Sequence, residues 1–453
     1  MPAEPTSDPT SAEPAAYGGP HRIVIVGGGA GGLELATRLG DTLGRKGLAH
    51  VTLIEKSRSH FWKPHLHEIA AGSIDMHVHA TDYLAQSHWH GFRYRVGEMV
   101  GLDREQRLVY VAPVIDEDGA PVTAPYTRAY DTLVIAVGSR TNDFGTPGVA
   151  EHAIALETPA HAQRFHRKLV NACLRAHMQE GPLTPRQLQV AIIGAGATGV
   201  ELAAELHKAT RTLVSYNLEN IDPERDIRLN LIEAGPRILP ALPERIAMSA
   251  TELLLGLGVR VHTDARVTAV TEAGVQLASG ELLPAELVVW AAGVKAPEFL
   301  EGLAGLESNR LNQLVVRPTL QTTLDDSIFA LGDCAAAPWL GHQGNVPPRA
   351  QAAHQQASHL VRQMRRRLRG QPLEDWRYRD FGSLVSLGEY STVGNLMGAL
   401  VGGNLWVEGL FARAMYKSLY KMHQVALHGY WKTAVGSASR MLTRGTEPRV
   451  KLH

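Results

Sequence analysis

Gly27, Gly29 and Gly32, within Gly27-Gly28-Gly29-Ala30-Gly31-Gly32, have the spacing G-x-G-x-x-G. Gly194, Gly196 and Gly199 repeat it within Gly194-Ala195-Gly196-Ala197-Thr198-Gly199. Glycine at these positions allows a tight turn and a close approach of backbone to ligand, which a Cβ would prevent. The turn brings free backbone N–H groups and the positive end of a helix dipole to one point. That point suits a pyrophosphate. Glu55 and Glu233 each close an apolar run further on, where a carboxylate can take the hydroxyls of a ribose. A lone G-x-G-x-x-G also occurs as a ligand-free turn, and the two acids separate these cases. One loop with one acid implies one dinucleotide. Two sets imply two dinucleotides, with electrons passing between them.

These groups need strands to aim them. Arg22 to Val26 and Val190 to Ile193 are short apolar runs directly before the loops. His50 to Glu55 and Ile227 to Glu233 read as the second strands. The second offset is long, and residues 215–226 read as an extra loop. Tyr130 to Gly138 and Glu286 to Gly293 form a matched pair of buried strands ending in small residues. Ala136 and Gly138, and Ala292 and Gly293, are the points where backbone would approach a cofactor. Asp326 to Ala335 is a third apolar run, ending in Gly332-Asp333.

Together these motifs resemble the flavoproteins with two dinucleotide-binding domains, over about residues 21–370. The resemblance implies an α/β fold of two Rossmann-like domains, the second inserted in the first. It assigns Gly27, Gly29, Ala30, Gly31, Gly32, Glu55, Lys56, Lys63, Ala136, Gly138, Gly332, Asp333, Ala350 and Gln351 to FAD. It assigns Gly194, Gly196, Thr198, Gly199, Glu201, Glu233, Ala292 and Gly293 to NADH. Ala350-Gln351-Ala352-Ala353-His354-Gln355-Gln356 matches A-Q-x-A-x-Q-Q, which is similar to the quinone motif of type II NADH:quinone oxidoreductases. Gly382 to Gly388, Met422 to Gly429 and Arg449 to His453 look like the bacterial enzymes of that group. A neutral amide can hydrogen-bond a quinone carbonyl without adding charge, and Gln351 and Gln355 share a helix face. Glu201, placed in the first turn of the helix after the second loop, would position the nicotinamide or relay a proton. A bare helix-terminal acid is the competing reading. Glu233 would repel a 2′-phosphate and so favours NADH, while Arg237 pulls the other way. Comparing kcat/KM for the two nucleotides decides between them.

At 453 residues, two to three domains are expected. Lys plus Arg and Asp plus Glu are 45 each, which argues against a nucleic-acid partner. The two cysteines, Cys173 and Cys334, form no vicinal pair, unlike related disulfide reductases and sulfide-oxidising enzymes. Residues 1–20 lack the basic and apolar regions of a signal peptide and read as a disordered tail. No apolar stretch is long enough to cross a bilayer. From Leu410 to Leu427, helical spacing gathers Phe411, Ala414, Met415, Leu419, Met422, Val425 and Ala426 on one side. Arg413, Lys417, Lys421 and Gln424 fall on the other, with Tyr416 and Tyr420 at the boundary. Residues 401–453 carry eight Lys/Arg against two acids. An interfacial helix on an anionic membrane fits, and so does packing on the core or on a second subunit; the quinone motif favours the membrane. His60, His65 and His67 cluster, but the resemblance places that segment along the FAD, and no metal site is expected.

The reading is then as follows. Residues 1–20 are a tail; 21–157 are the first segment of the FAD domain; 158–295 are the NADH domain. Residues 296–370 are the returning segment of the FAD domain with the quinone motif, and 371–453 are a membrane-association or dimerisation module. Hydride passes from NADH to FAD, and two electrons pass on to a membrane quinone without proton pumping. Gln351, Gln355 and Glu201 do the site chemistry. Residues 408–445 meet an anionic surface, and the enzyme lies peripherally on the cytoplasmic face of a bacterial inner membrane. A soluble reductase serving a ferredoxin- or rubredoxin-like protein, or a redox-sensing flavoprotein, are the rival readings.

Overall fold

Ile23, Val24, Ile25 and Val26 are all buried, so the first strand has no solvent face. Such a strand belongs in a parallel sheet covered on both sides. The computed structural model describes residues 19–387, 391–396, 405–408, 410–443 and 450. In chain order come β1 (His21–Val26), α1 (Ala30–Leu39), β2 (Ala49–Glu55), α2 (Leu66–Ala70), β3 (Arg93–Val96) and β4 (Thr132–Ile135). Next are β5 (Ala153–Ala155), α3 (Pro159–Met178), β6 (Gln189–Ile193), α4 (Ala197–Val214), β7 (Arg228–Ile232), β8 (Arg260–His262) and β9 (Leu287–Trp290). The last are β10 (Ile328–Ala330), α5 (Ala350–Leu368), β11 (Ser383–Leu387), β12 (Ser391–Leu396), β13 (Leu405–Glu408) and α6 (Leu410–Thr443).

The chain forms two units. One gathers the chain up to His60 with Thr81–Gly138 and Ala296–Tyr378; the other gathers Phe61–Ala80, Ser139–Lys295 and the chain from Arg379 onward. The first unit has a parallel sheet in the order β10-β4-β1-β2-β3. Val26 pairs with Ile135 on one side and Ile54 on the other, so the loop after β1 leaves the sheet between two neighbours. In such sheets that place is where ligands bind. α1 packs on α5 so closely that a Cβ on Gly31 would lie 3.0 Å from the Ala353 carbonyl oxygen.

The second unit repeats the plan in the order β5-β9-β6-β7-β8, again parallel. Residues 215–226 do form the connection between α4 and β7. Two assignments need correction. β5, taken from the sequence as the end of the first FAD segment, pairs with β9 in the second sheet. Its Ile154 joins the core built by α3 and α4. Phe61, Leu66, Ile69 and Ala70 enter that same core, so the segment after His60 belongs with the second unit. β11, β12 and β13 form an antiparallel sheet, and Val385 and Leu387 are buried in this core too. α6 is broken at Gly429, whose φ of 78° and ψ of 167° are not helical. Residues 1–18, Gly388 and all of the 449–453 ending except Val450 lie outside the described residues.

Candidate functional site

The first loop shows what each glycine does. Gly27 has φ +100°, and a Cβ there would lie 2.4 Å from the Ala136 carbonyl oxygen. A Cβ on Gly32 would lie 1.9 Å from the Gly27 carbonyl oxygen. Gly29 faces open space, with nothing within 4 Å of a Cβ built on it. Packing therefore forces the outer glycines, and the middle one keeps the approach to α1 clear. Gly29 caps α1 with no side chain on the first N–H groups, and Ala30 and Gly31 open the helix. Those donors remain for an anion. Glu55 accepts from Gly28 N through Oε2 at 2.7 Å and from Ser57 N through Oε1 at 2.9 Å. The carboxylate is thereby held, with lone pairs left for ribose hydroxyls. These residues fit the diphosphate and ribose of FAD. Gly138, at φ +72°, also faces open space.

Two residues the sequence did not single out for this role complete the loop. The Tyr83 hydroxyl donates to the Gly28 carbonyl at 2.7 Å, and His60 Nδ1 meets the same oxygen at 3.0 Å. Both side chains are buried. Burial, with the charge of Glu55 and neighbouring Tyr94, pushes the Tyr83 hydroxyl well above its ordinary range, so it stays a donor. Lys56 pairs with Glu98 at 2.8 Å on the surface. Lys63 lies in the second unit, where its Nζ donates to the Ser139 carbonyl at 3.2 Å.

The second loop has the same construction. Gly194 has φ +99°, and its Cβ would lie 2.6 Å from Ala292 Cα. A Cβ on Gly199 would lie 2.0 Å from the Gly194 carbonyl oxygen, while Gly196 has nothing within 4 Å. Gly196 caps α4 without a side-chain bond, and Thr198 stands exposed in the first turn. Glu233 accepts from Ala195 N and from Gly235 N, both at 2.9 Å. The Ala195 carbonyl accepts from Leu239 N at 2.8 Å, and Leu239 itself has φ 49°. Gly293, at φ +65°, is backed by Phe144. Arg237 gives Nη2 to the Pro240 carbonyl at 3.2 Å.

In the first unit, Gly332 N donates to Gln356 Oε1 at 2.7 Å, and Gln313 Nε2 donates to the Asp333 carbonyl at 2.9 Å. The buried amide of Gln356 thus ties the Gly-Asp turn to α5. Its signal was present in the motif's final Gln. Pro347 and Pro348 lead into α5, and Gln351, His354, Gln355 and Ser358 form a partly exposed stripe on it. Beneath the stripe lies Glu34 of α1, wholly buried. Arg38 Nη1 donates to its Oε1 at 2.7 Å and Ser358 Oγ to the same oxygen at 3.2 Å. His354 Nδ1 contacts its Oε2. Only Arg38 is a local partner; His354 and Ser358 come from α5, and no sequence signal pointed to them.

Glu201, in the second unit, is the fifth residue of α4, past the first turn, so the helix terminus does not explain it. It is 6% exposed. Ser386 N of β11 donates to Oε1 at 3.0 Å, and His67 Nδ1 lies 3.6 Å from Oε2. Burial lowers His67 to about 4, against a smaller upward pull from the Pro64 carbonyl. Burial, then His67 and His79, lowers His65 to about 3. Both imidazoles are neutral at ordinary pH. The rings of His65 and Tyr420 lie 4.7 Å apart, and those of Trp62 and His423 4.3 Å apart. Tyr420, His423 and Leu427 therefore face inward, and Met422, from the apolar side read in the sequence, is 52% exposed. Beyond Gly429, Tyr430 and Trp431 are 83% and 80% exposed. Cys173 and Cys334 are buried and free, and burial pushes each thiol up to about 12, so neither is poised for redox chemistry.

The family described as pyridine nucleotide-disulphide oxidoreductase matches residues 21–357. A Haemophilus influenzae protein named type II NADH:quinone oxidoreductase is 42% identical over 95% of this chain and 99% of its own length. A Mycobacterium tuberculosis protein, type II NADH:quinone oxidoreductase NdhA, is 28% identical over 93% of this chain and 86% of its own. The fold is shared with the Plasmodium falciparum NDH2 structure in complex with NADH. That match has a TM-score of 0.77 at 20% identity, over 95% of this chain and 99% of that one. With its two dinucleotide loops built alike and a relative matched almost end to end, the chain belongs to the pyridine nucleotide-disulphide oxidoreductases and, among them, to the type II NADH:quinone oxidoreductases.

Proposed function

We propose that the protein takes two electrons from NADH and delivers them to a quinone without pumping protons. The carrying observation is the duplicated loop, in which Gly29 and Gly196 alone of the six signature glycines are left clear. FAD, when bound to the first loop, supplies the two-electron carrier. The protein's own residues bind and orient. Gly196, the α4 terminus and Glu233 hold the NADH diphosphate and ribose, and Glu201 positions the nicotinamide or handles a proton. Gln351 and Gln355 offer amides to the quinone carbonyls from the half-exposed face of α5. The test is anaerobic. One equivalent of NADH should bleach the purified protein, and a short-chain ubiquinone should restore its colour rapidly. Bleaching with no restoration by quinone would defeat the assignment in favour of a protein acceptor or a sensor.

Gln355→Leu is expected to leave bleaching by NADH unchanged and to slow quinone turnover about tenfold or more, the cost of an unpaired polar group in a site built for it. Equal slowing of both half-reactions in stopped flow would remove Gln355 from the quinone site.

For the quinone to be a membrane one, the enzyme must reach the bilayer. Among the described residues no helix is long and apolar enough to cross it. Support for peripheral attachment on the cytoplasmic face comes from the basic surplus of residues 401–453 and from exposed Tyr430, Trp431 and Val435. Amphipathic rings beside lysines suit an anionic interface. Trp431→Ser should weaken sedimentation with phosphatidylglycerol vesicles several-fold and leave activity on a soluble quinone intact. Undiminished vesicle binding, or loss of a homodimer instead, would reassign this face to self-association.

A further inference from the structure

We propose that Phe144 is the platform for the nicotinamide half of NADH: its ring covers Gly293 and offers its outer face for the nicotinamide to pack on. The inference rests on the proposed use of the second loop for NADH. In the second sheet β6 has β7 on one side and β9 on the other. Glu233, following β7, takes the ribose of the adenosine half, and the α4 terminus takes the diphosphate. The other half of the dinucleotide then lies across the end of β9. Gly293 stands there, just past Trp290, the last residue of the strand.

At that place the two loops part. Gly138, the counterpart of Gly293 after the first loop, has φ +72° and nothing within 4 Å of a Cβ built on it. On Gly293, at φ +65°, the same Cβ would lie 2.5 Å from Phe144 Cζ and 2.9 Å from Cε2. The nucleotide meets a ring where the sequence pointed to bare backbone. Phe144, its turn and Gly293 all belong to the second unit. Several bonds fasten the turn to the end of β9. Asn142 N donates to the Gly293 carbonyl at 3.3 Å. Buried Trp290 gives Nε1 to the carbonyls of Asn142, at 2.9 Å, and Ala292, at 3.2 Å. Within the turn, Asn142 Oδ1 accepts from Phe144 N at 3.0 Å, and Asp143 Oδ1 accepts from Gly145 N at 3.1 Å. Folding gains little from this arrangement. Phe144 is 66% exposed, so little apolar area leaves water. Its φ of 53° is left-handed, a region disfavoured for a bulky side chain. Strain of this kind persists where function uses it. An aromatic face fixed beforehand takes a flat heteroaromatic ring at small entropic cost.

The test uses the full-length flavoprotein. Stopped-flow bleaching at varied NADH gives an apparent Kd for NADH. Competition by ADP gives a Kd for the adenosine and diphosphate half alone. Phe144→Ala is expected to weaken NADH about tenfold, the loss of one aromatic stack, and to leave ADP within about twofold of wild type. Phe144→Tyr, which keeps the ring, should keep both affinities. Thermal melting and flavin content report folding separately. Phe144→Gly relieves the left-handed residue, so it should melt no earlier than wild type while binding NADH as poorly as the Ala variant. It keeps the test open if the Ala variant does not fold. Folded variants without the ring that bind NADH as wild type does would overturn the platform. Equal weakening of NADH and ADP would overturn it too, since Phe144 would then only support the loop. A wild-type protein that NADH does not bleach and ADP does not occupy would overturn the assignment of the second loop itself, and the platform with it.

Discussion

Gly196→Val should give a folded protein that keeps its flavin and hardly uses NADH. Open space surrounds this position, so the isopropyl group meets no protein atom within 4 Å of the Cβ. It instead fills the approach to the α4 terminus, where the diphosphate must come close to backbone. Displacing a bound group by about 1 Å can cost 100-fold in rate, and a loss of kcat/KM for NADH of about that size or more is expected. Gly199→Val is the informative contrast. There the new Cβ would lie 2.0 Å from the Gly194 carbonyl oxygen, so the loop itself must shift. That variant should melt earlier whether or not NADH is present. The measurements are NADH titration of the bleaching reaction and thermal unfolding. A Gly196→Val protein with near-normal KM for NADH would remove the second loop from nucleotide binding.

The second large effect concerns Glu34. Its carboxylate is wholly buried, and it meets Arg38 on its own helix and His354 and Ser358 on α5. Removing one partner of a buried ionic cluster typically costs about 3 to 5 kcal/mol. Arg38 and His354 are 36% and 29% exposed, so water can take over some of their stabilisation. Glu34→Ala should therefore destabilise the folded protein by about 2 to 3 kcal/mol, the cavity included. Glu34→Gln, which keeps the volume and one acceptor, should cost roughly half as much. Because the cluster also ties α5 to α1, the Ala variant is expected to raise KM for quinone while leaving KM for NADH unchanged. Denaturant unfolding and steady-state kinetics check both expectations. An Ala variant as stable as wild type would show that the cluster is energetically neutral.

What the sequence revealed was the portion in which chemistry dictates residue type at fixed spacing. A turn beneath a pyrophosphate needs glycine in three places, and a ribose asks for an acid one strand later; both sets stood in plain view. The Gln motif was legible only through its resemblance to the type II NADH:quinone oxidoreductases. What stayed hidden depends on partners brought from far along the chain. Tyr83 and His60 reach the Gly28 carbonyl across 55 and 32 residues, and nothing around them announces it. Glu34 sits in a helix that reads as ordinary, and only the arrival of α5, more than 300 residues later, buries it. β5 has three residues, too few for a periodic signal. In α6 the helical pattern ranked Met422 as apolar and Tyr420 as marginal. Yet the aromatic ring turns inward because Trp62, His65 and His79 offer it ring contacts.

The two loops are alike in backbone and differ in what restrains one peptide group. The Gly28 carbonyl is gripped by two buried side chains, Tyr83 and His60. Because the peptide is trans and planar, the N–H of Gly29 is then fixed facing the opposite way. The orientation entropy of that donor is lost during folding, before any ligand arrives, and preorganisation of this kind slows escape. The equivalent Ala195 carbonyl has a backbone donor in place of a side-chain clamp, and that donor is Leu239, whose left-handed conformation is disfavoured for a leucine. On the proposed assignment, the first site is set for an occupant that stays, and the second for a visitor that departs after every hydride.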